Sequence, residues 1–208
     1  MRKVLLIILL IAAFTAADWL QYASEELYVH AYWSQGGNGF GQRFTPPYSP
    51  GVITFVGIMV GNPLNESPVV FQGFDVSIWS YSAATGLPGY IVGPLNSVTH
   101  QPEWHHYANT VQDAWNYDFI HLNWNTTQDF VVAIRQVGNA PNCDVIWRDS
   151  QMPADPFNRN FKYFDTIWSH LDPWPQSGTP GDLILKAEFL HNTAVEPTSL
   201  GMVKAAFK

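Results

Sequence analysis

From Phe74 to Tyr81 the chain alternates apolar Phe74, Val76 and Ile78 with Asp75, Ser77, Trp79 and Tyr81, the period of two of a strand with one face on a core. Thr85-Gly86-Leu87-Pro88-Gly89 follows and predicts a turn, because Gly supplies positive φ and Pro fixes its own φ. Similar short alternations predict strands at Leu27 to Trp33, Phe40 to Thr45, Tyr90 to Val92, Cys143 to Arg148, Tyr163 to Trp168 and Asp182 to Leu190. In the last, Leu183, Leu185, Ala187 and Phe189 face inward. Gly51 to Val60 is apolar on both faces and reads as a central strand. Trp115 to Trp124 and Asp129 to Val137 read as a hairpin through Asn125-Thr126-Thr127-Gln128, with Phe130, Val132 and Ile134 on the core and Arg135 facing away. Asp18 to Glu26 reads as a lead-in with at most one helical turn, and no helical period follows it. About ten strands separated by Gly, Pro and Asn turns predict an all-β fold, an antiparallel two-sheet jelly-roll-like β-sandwich.

Length adds the domain count, since 208 residues suit one sizeable β domain. Met1-Arg2-Lys3, the apolar run Val4 to Phe14 and Thr15-Ala16-Ala17 have the order of a secretory signal peptide. The expected organisation is therefore a signal peptide over 1–17, a β-sandwich over 18–191 and a linker or tail over 192–208, with no membrane span once the signal is cleaved. The apolar run is shorter than the about 20 residues that a bilayer requires. Without Arg2 and Lys3 the chain keeps 8 basic residues against 17 acidic ones, a net charge of −9. That balance argues against nucleic acid and anionic membranes as partners, since both need a basic footprint. Cys143 is the single cysteine, so no intramolecular disulfide forms, and a buried apolar role is expected for it.

The order of several motifs then becomes informative. Arg43-Phe44-Thr45-Pro46-Pro47 leads into the apolar strand at Ile53, and Val76-Ser77-Ile78 leads into Gly86-Leu87-Pro88-Gly89. Asp129-Phe130-Val131-Val132-Ala133, Asp144 to Ser150 and Gly181-Asp182-Leu183-Ile184-Leu185-Lys186-Ala187 come later in the chain. Together they resemble the jelly-roll-like accessory modules of secreted bacterial multidomain proteins, over roughly Tyr28 to Phe189. The tail Val195 to Lys208 is similar to the linker that precedes a Bacteroidetes-type C-terminal sorting domain. The resemblance implies an exported, non-catalytic module at the cell surface, outside the cell or in the periplasm, and supplies no catalytic residues.

Candidate chemistry centres on aromatic side chains. A sugar platform needs flat rings for apolar C–H faces and polar groups for the hydroxyls around them. Trp79 and Tyr81 share one strand face with Asp75, and Arg135 and Tyr32 are the candidates on neighbouring strands. The expected partner is a glycan or, in a spacer or docking role, a cell-surface protein. His100, Glu103, His105 and His106 crowd one polar segment, but their spacing matches no metalloprotease motif. No Gly-x-Ser-x-Gly elbow is present, and no strand alternates acids on one face. No enzyme and no cofactor is expected, with a secreted hydrolase as the lesser alternative. Asp144, Asp149 and Asp155 are the oxygen donors that a structural calcium would use.

Overall fold

A computed structural model describes residues 17–24, 26–27, 29–61, 72–108, 113–140, 142–149, 159–171 and 182–191. It contains thirteen strands among these residues: β1 (Ala17–Gln21), β2 (Val29–Ala31), β3 (Gly39–Phe44), β4 (Gly51–Gly61), β5 (Phe74–Ser82), β6 (Leu87–Gly93), β7 (His105–Tyr107), β8 (Ala114–Trp124), β9 (Phe130–Gln136), β10 (Val145–Arg148), β11 (Asn160–Phe164), β12 (Ile167–His170) and β13 (Leu185–His191). They form two antiparallel sheets, so the chain is an all-β sandwich.

The six-stranded sheet is built on β4. One edge of β4 pairs with β8 along its length, and the other pairs with β13 and then β10, which carry β1 and β2 outward. The seven-stranded sheet runs β12-β11-β3-β9-β5-β6, with β7 on β5 beyond the end of β6. Between the sheets lies a core to which both contribute. Ile53, Val56, Ile58, Leu185 and Phe189 come from one sheet, and Phe44, Phe74, Val76, Ile78, Phe130 and Ile134 from the other. The rings of Phe130 and Phe189 stack across the interface at 6.2 Å. Burying such side chains contributes roughly 1.5–3 kcal/mol each, which is why alternation was the strongest signal in the sequence.

Several expected elements take another form. Asp18 opens no helical turn, because Ala17–Gln21 pairs with Lys186 to Leu190 of β13. β2 is only three residues long: past Ala31 the chain leaves the sheet, and the backbone N–H of Trp33 donates to Oε1 of Gln136 in the other sheet at 2.7 Å. Leu87, Pro88 and Gly89 belong to β6, so the turn after β5 is Ala83 to Gly86, with Gly86 at φ 72°. Pro88 is tolerated there because β6 is an edge strand. β8 and β9 are no hairpin; they lie in different sheets, and Asn125 to Asp129 turns a corner between layers. Tyr163 to Trp168 is two strands, since Asp165 at φ 48° and Thr166 at φ 68° reverse the chain. His105 and His106, expected in an irregular segment, form β7.

Candidate functional site

The side chains singled out on β5 do share a face. Asp75 lies opposite Arg135, whose Nε and Nη2 donate to one carboxylate oxygen at 3.0 and 2.6 Å, while Nδ1 of His106 sits 3.1 Å from the other. Nε1 of Trp79 donates to the Ser77 hydroxyl at 2.8 Å, and the Arg43 guanidinium covers Tyr81 at 4.6 Å. This face is already filled. Strands β12 and β6 stand at opposite ends of the sheet order, about 24 Å apart if the sheet were flat. Here they approach each other, and His170 comes within 3.6 Å of the position a Cβ on Gly86 would take. The sheet has therefore curled around its own outer face.

Glycine makes that curl tolerable. A Cβ on Gly41 would stand 3.1 Å from the Trp168 ring, so the missing side chain leaves the space in which Trp168 lies over β3. Trp168 and Tyr163 retain only 8% and 7% exposure, and with Phe161, Val131 and Ala133 they form a second apolar cluster. Trp79, Tyr81 and Trp104 pack against it, partly buried, with Trp79 meeting Trp168 edge-on at 5.4 Å. The platform expected at Trp79 and Tyr81 is thus the lid of a second core. Tyr32 is not on a neighbouring strand: it is exposed just beyond β2, which belongs to the six-stranded sheet.

An open aromatic face lies on the opposite side of the molecule. Along β8, Asn116, Asp118 and Ile120 turn inward, and Trp115, Tyr117, Phe119 and His121 turn outward. Register extends these positions across the sheet in two rows. The first runs Gln21, Lys186, Gly57, Tyr117, and the second Trp19, Glu188, Phe55, Phe119. Trp19 meets Tyr117 edge-on at 5.6 Å, Phe55 meets Phe119 at 5.2 Å, and Phe119 stacks with His121 at 5.9 Å. Trp19, Tyr117 and Phe119 remain 43%, 42% and 59% exposed. The centre is held by Lys186. Gly57 leaves room for its aliphatic stem, and its ammonium lies 3.8 Å from the Trp115 ring centre, 4.9 Å from Trp19 and 5.0 Å from Tyr117. The Thr54 hydroxyl donates to Oε2 of Glu188. The sequence carried a signal for this face in its aromatic residues at 115, 117 and 119, which share the outward parity of one strand.

Several of the acidic and imidazole candidates are hydrogen-bonded within the fold. Asp144 accepts the backbone N–H of Gly73 at 2.6 Å. Asp149 accepts those of Ser24 at 2.7 Å and Asp182 at 2.8 Å. Asp144 and Asp149 flank the two ends of β10 and staple other segments to it, while Asp155 lies outside the described residues. Among the described residues no three His, Cys, Asp or Glu side chains gather as a metal site. Glu103 accepts from Nδ2 of Asn96 at 2.6 Å, and His100 is exposed. Nδ1 of His105 sits 3.1 Å from the buried Asp118 carboxylate, so β7 reaches from one sheet to the other. Burial pushes the Asp118 carboxyl above its ordinary range, against the lowering effect of His105. Cys143 is buried, and desolvation followed by the charge of Asp144 pushes its thiol up to about 11.

Among the described residues no helix is long and apolar enough to cross a membrane. No family model matches the chain, and no curated protein or solved structure matches it.

Proposed function

We propose that the protein is a non-catalytic, exported β-sandwich module that binds carbohydrate on the outer face of its six-stranded sheet. The observation that carries this reading is the exposed group of Trp19, Tyr117 and Phe119 on strands β1 and β8, spread over two adjacent rows of one face. Rings fixed to a sheet lose little freedom on binding and offer apolar area to the C–H faces of a sugar. His121, Asn123, Glu188 and the Tyr117 hydroxyl lie on the same face and supply the donors and acceptors that hydroxyls need. A role as an accessory part of a larger secreted bacterial protein agrees with this, since such a module needs a binding face and no reactive centre.

Affinity electrophoresis through gels that contain single polysaccharides tests the proposal. Tyr117→Ala and Phe119→Ala are expected to abolish retardation by the recognised glycan, with the fold checked by urea unfolding. Trp79→Ala and Tyr32→Ala, on other surfaces, are expected to keep it. Retardation that depends on Trp79 and ignores Tyr117 would move the site to the seven-stranded sheet. No retardation across neutral and acidic polymers would leave a spacer or protein-docking role.

A further inference from the structure

We infer that the carbohydrate is acidic, and that Lys186 binds its carboxylate or sulfate between the aromatic rings. This rests on the platform reading above and adds the chemical class of the ligand. The argument starts from what Lys186 lacks. Its ammonium touches three aromatic rings, yet among the described residues no carboxylate lies within 4 Å of it and no acceptor takes its N–H groups. Ring faces hold a cation by their quadrupole but accept N–H donors poorly, so the charge is positioned and its hydrogen-bonding capacity left over. An anionic group on a ligand is the complement, and a charge-assisted bond is the stronger kind.

The net charge of −9 opposes a long polyanion at range, so the attraction is local to the cage, and the neighbouring charge there does not cancel it. Glu188 stands one row away on β13, two residues along the strand and about 7 Å from Lys186 along its axis, where it takes the hydroxyl of Thr54. An organic cation is the poorer candidate, because it would have to displace a lysine tethered inside the cage at high effective concentration. Gly57 adds the shape: with no side chain, it lets the Lys186 stem lie on the sheet, which brings the ammonium against the three rings.

The test uses affinity gels of polygalacturonate, of its methyl ester and of a sulfated galactan, run with the protein and with Lys186→Gln, Lys186→Arg and Tyr117→Ala. Retardation is expected by at least one of the two acidic polymers and not by the ester; which of them acts distinguishes carboxylate from sulfate. Lys186→Gln should weaken it about tenfold, as expected for loss of a charge-assisted hydrogen bond. Lys186→Arg should restore most of it. Equal retardation by acid and ester, indifference to Lys186→Gln, or no retardation by either acidic polymer overturns the inference. In the first two cases the platform reading survives if Tyr117→Ala still abolishes binding, and it fails if Tyr117→Ala binds as the parent does.

Discussion

The two sheets each carry aromatic residues on the face turned away from the central core, and they put them to opposite use. On the seven-stranded sheet the face curls until Trp168 and Tyr163 are almost fully covered, with Trp79, Tyr81 and Trp104 as a lid. On the six-stranded sheet Trp19, Tyr117 and Phe119 stay in water. Each face has a glycine at its floor. Above Gly41 lies an indole, and above Gly57 lies a lysine stem with a charge at its tip. The occupant of the gap decides the outcome: a large apolar ring draws the sheet around itself, while a flexible cation keeps the face open and wet.

If that is the difference, stability should be far more sensitive on the curled face. Trp168→Ala is expected to cost about 3–5 kcal/mol in urea unfolding, as for other buried large-to-small changes. Phe119→Ala should cost about 0.5 kcal/mol or less, as exposed positions do; equal losses would erase the distinction. Glycine substitutions probe the same contrast with smaller effects. Gly41→Ala places a Cβ 2.9 Å from a Val131 methyl and 3.1 Å from the Trp168 ring, inside a packed cluster. It should destabilise by about 1–3 kcal/mol. Gly57→Ala presses on the Lys186 stem at 2.8 Å, which can swing toward solvent, so about 1 kcal/mol or less is expected.

The hairpin that closes the curled face sharpens the comparison in the other direction. Asp165 and Thr166 both hold positive φ, as the two central residues of a type I′ turn do, and Thr166 is β-branched. Thr166→Gly should therefore stabilise the protein by roughly 0.5–1 kcal/mol, read as a higher urea midpoint at unchanged slope.

Between the sheets, Asp118 gives a pH signature. Burial raises its folded pKa above the ordinary carboxylate value, so the folded state holds that proton more tightly than the unfolded state. Its contribution to stability is present in full below the unfolded pKa and is lost as pH rises through the folded one. Relative to Asp118→Asn, the parent should lose stability as pH climbs from about 4 through the folded pKa and then level off. A flat difference across that window would refute the assignment. The smallest effect is chemical: with its thiol near 11 and its side chain buried, Cys143 should react with a disulfide reagent at mild alkaline pH only as fast as the protein opens.

How far these contrasts were legible in the sequence depends on how local their causes are. The inward faces of β5, β9 and β13 follow directly from alternation, and so does the outward turn of Arg135. The corner between β8 and β9 was hidden, because a run of turn residues does not say whether the next strand pairs with the last or crosses to the other layer. The turn at Asp165-Thr166 was hidden because it lacks the glycine that usually marks a tight hairpin. The partial burial of Trp79 was out of reach for a different reason: Trp168, which packs on it edge-on, lies on a strand four positions away in the sheet. The aromatic parity of β8 was visible throughout, and its exposure depended on neighbours that only the assembled sheet supplies.

The pairing of β1 with β13 has a mechanical consequence. Ala17 lies opposite Leu190, so residues 17 and 191 emerge at the same end of one antiparallel ladder. Tension applied between those two points would peel the ladder open one rung at a time instead of shearing all its rungs together, since the bonds run across the strands. Trp19 is the third residue of β1, so a modest pull would lift it from Tyr117 and Lys186 before any strand of the other sheet bore load. Anything that loosens β1 from β13 therefore opens one side of the ring cluster around Lys186 while β4 and β8 stay paired.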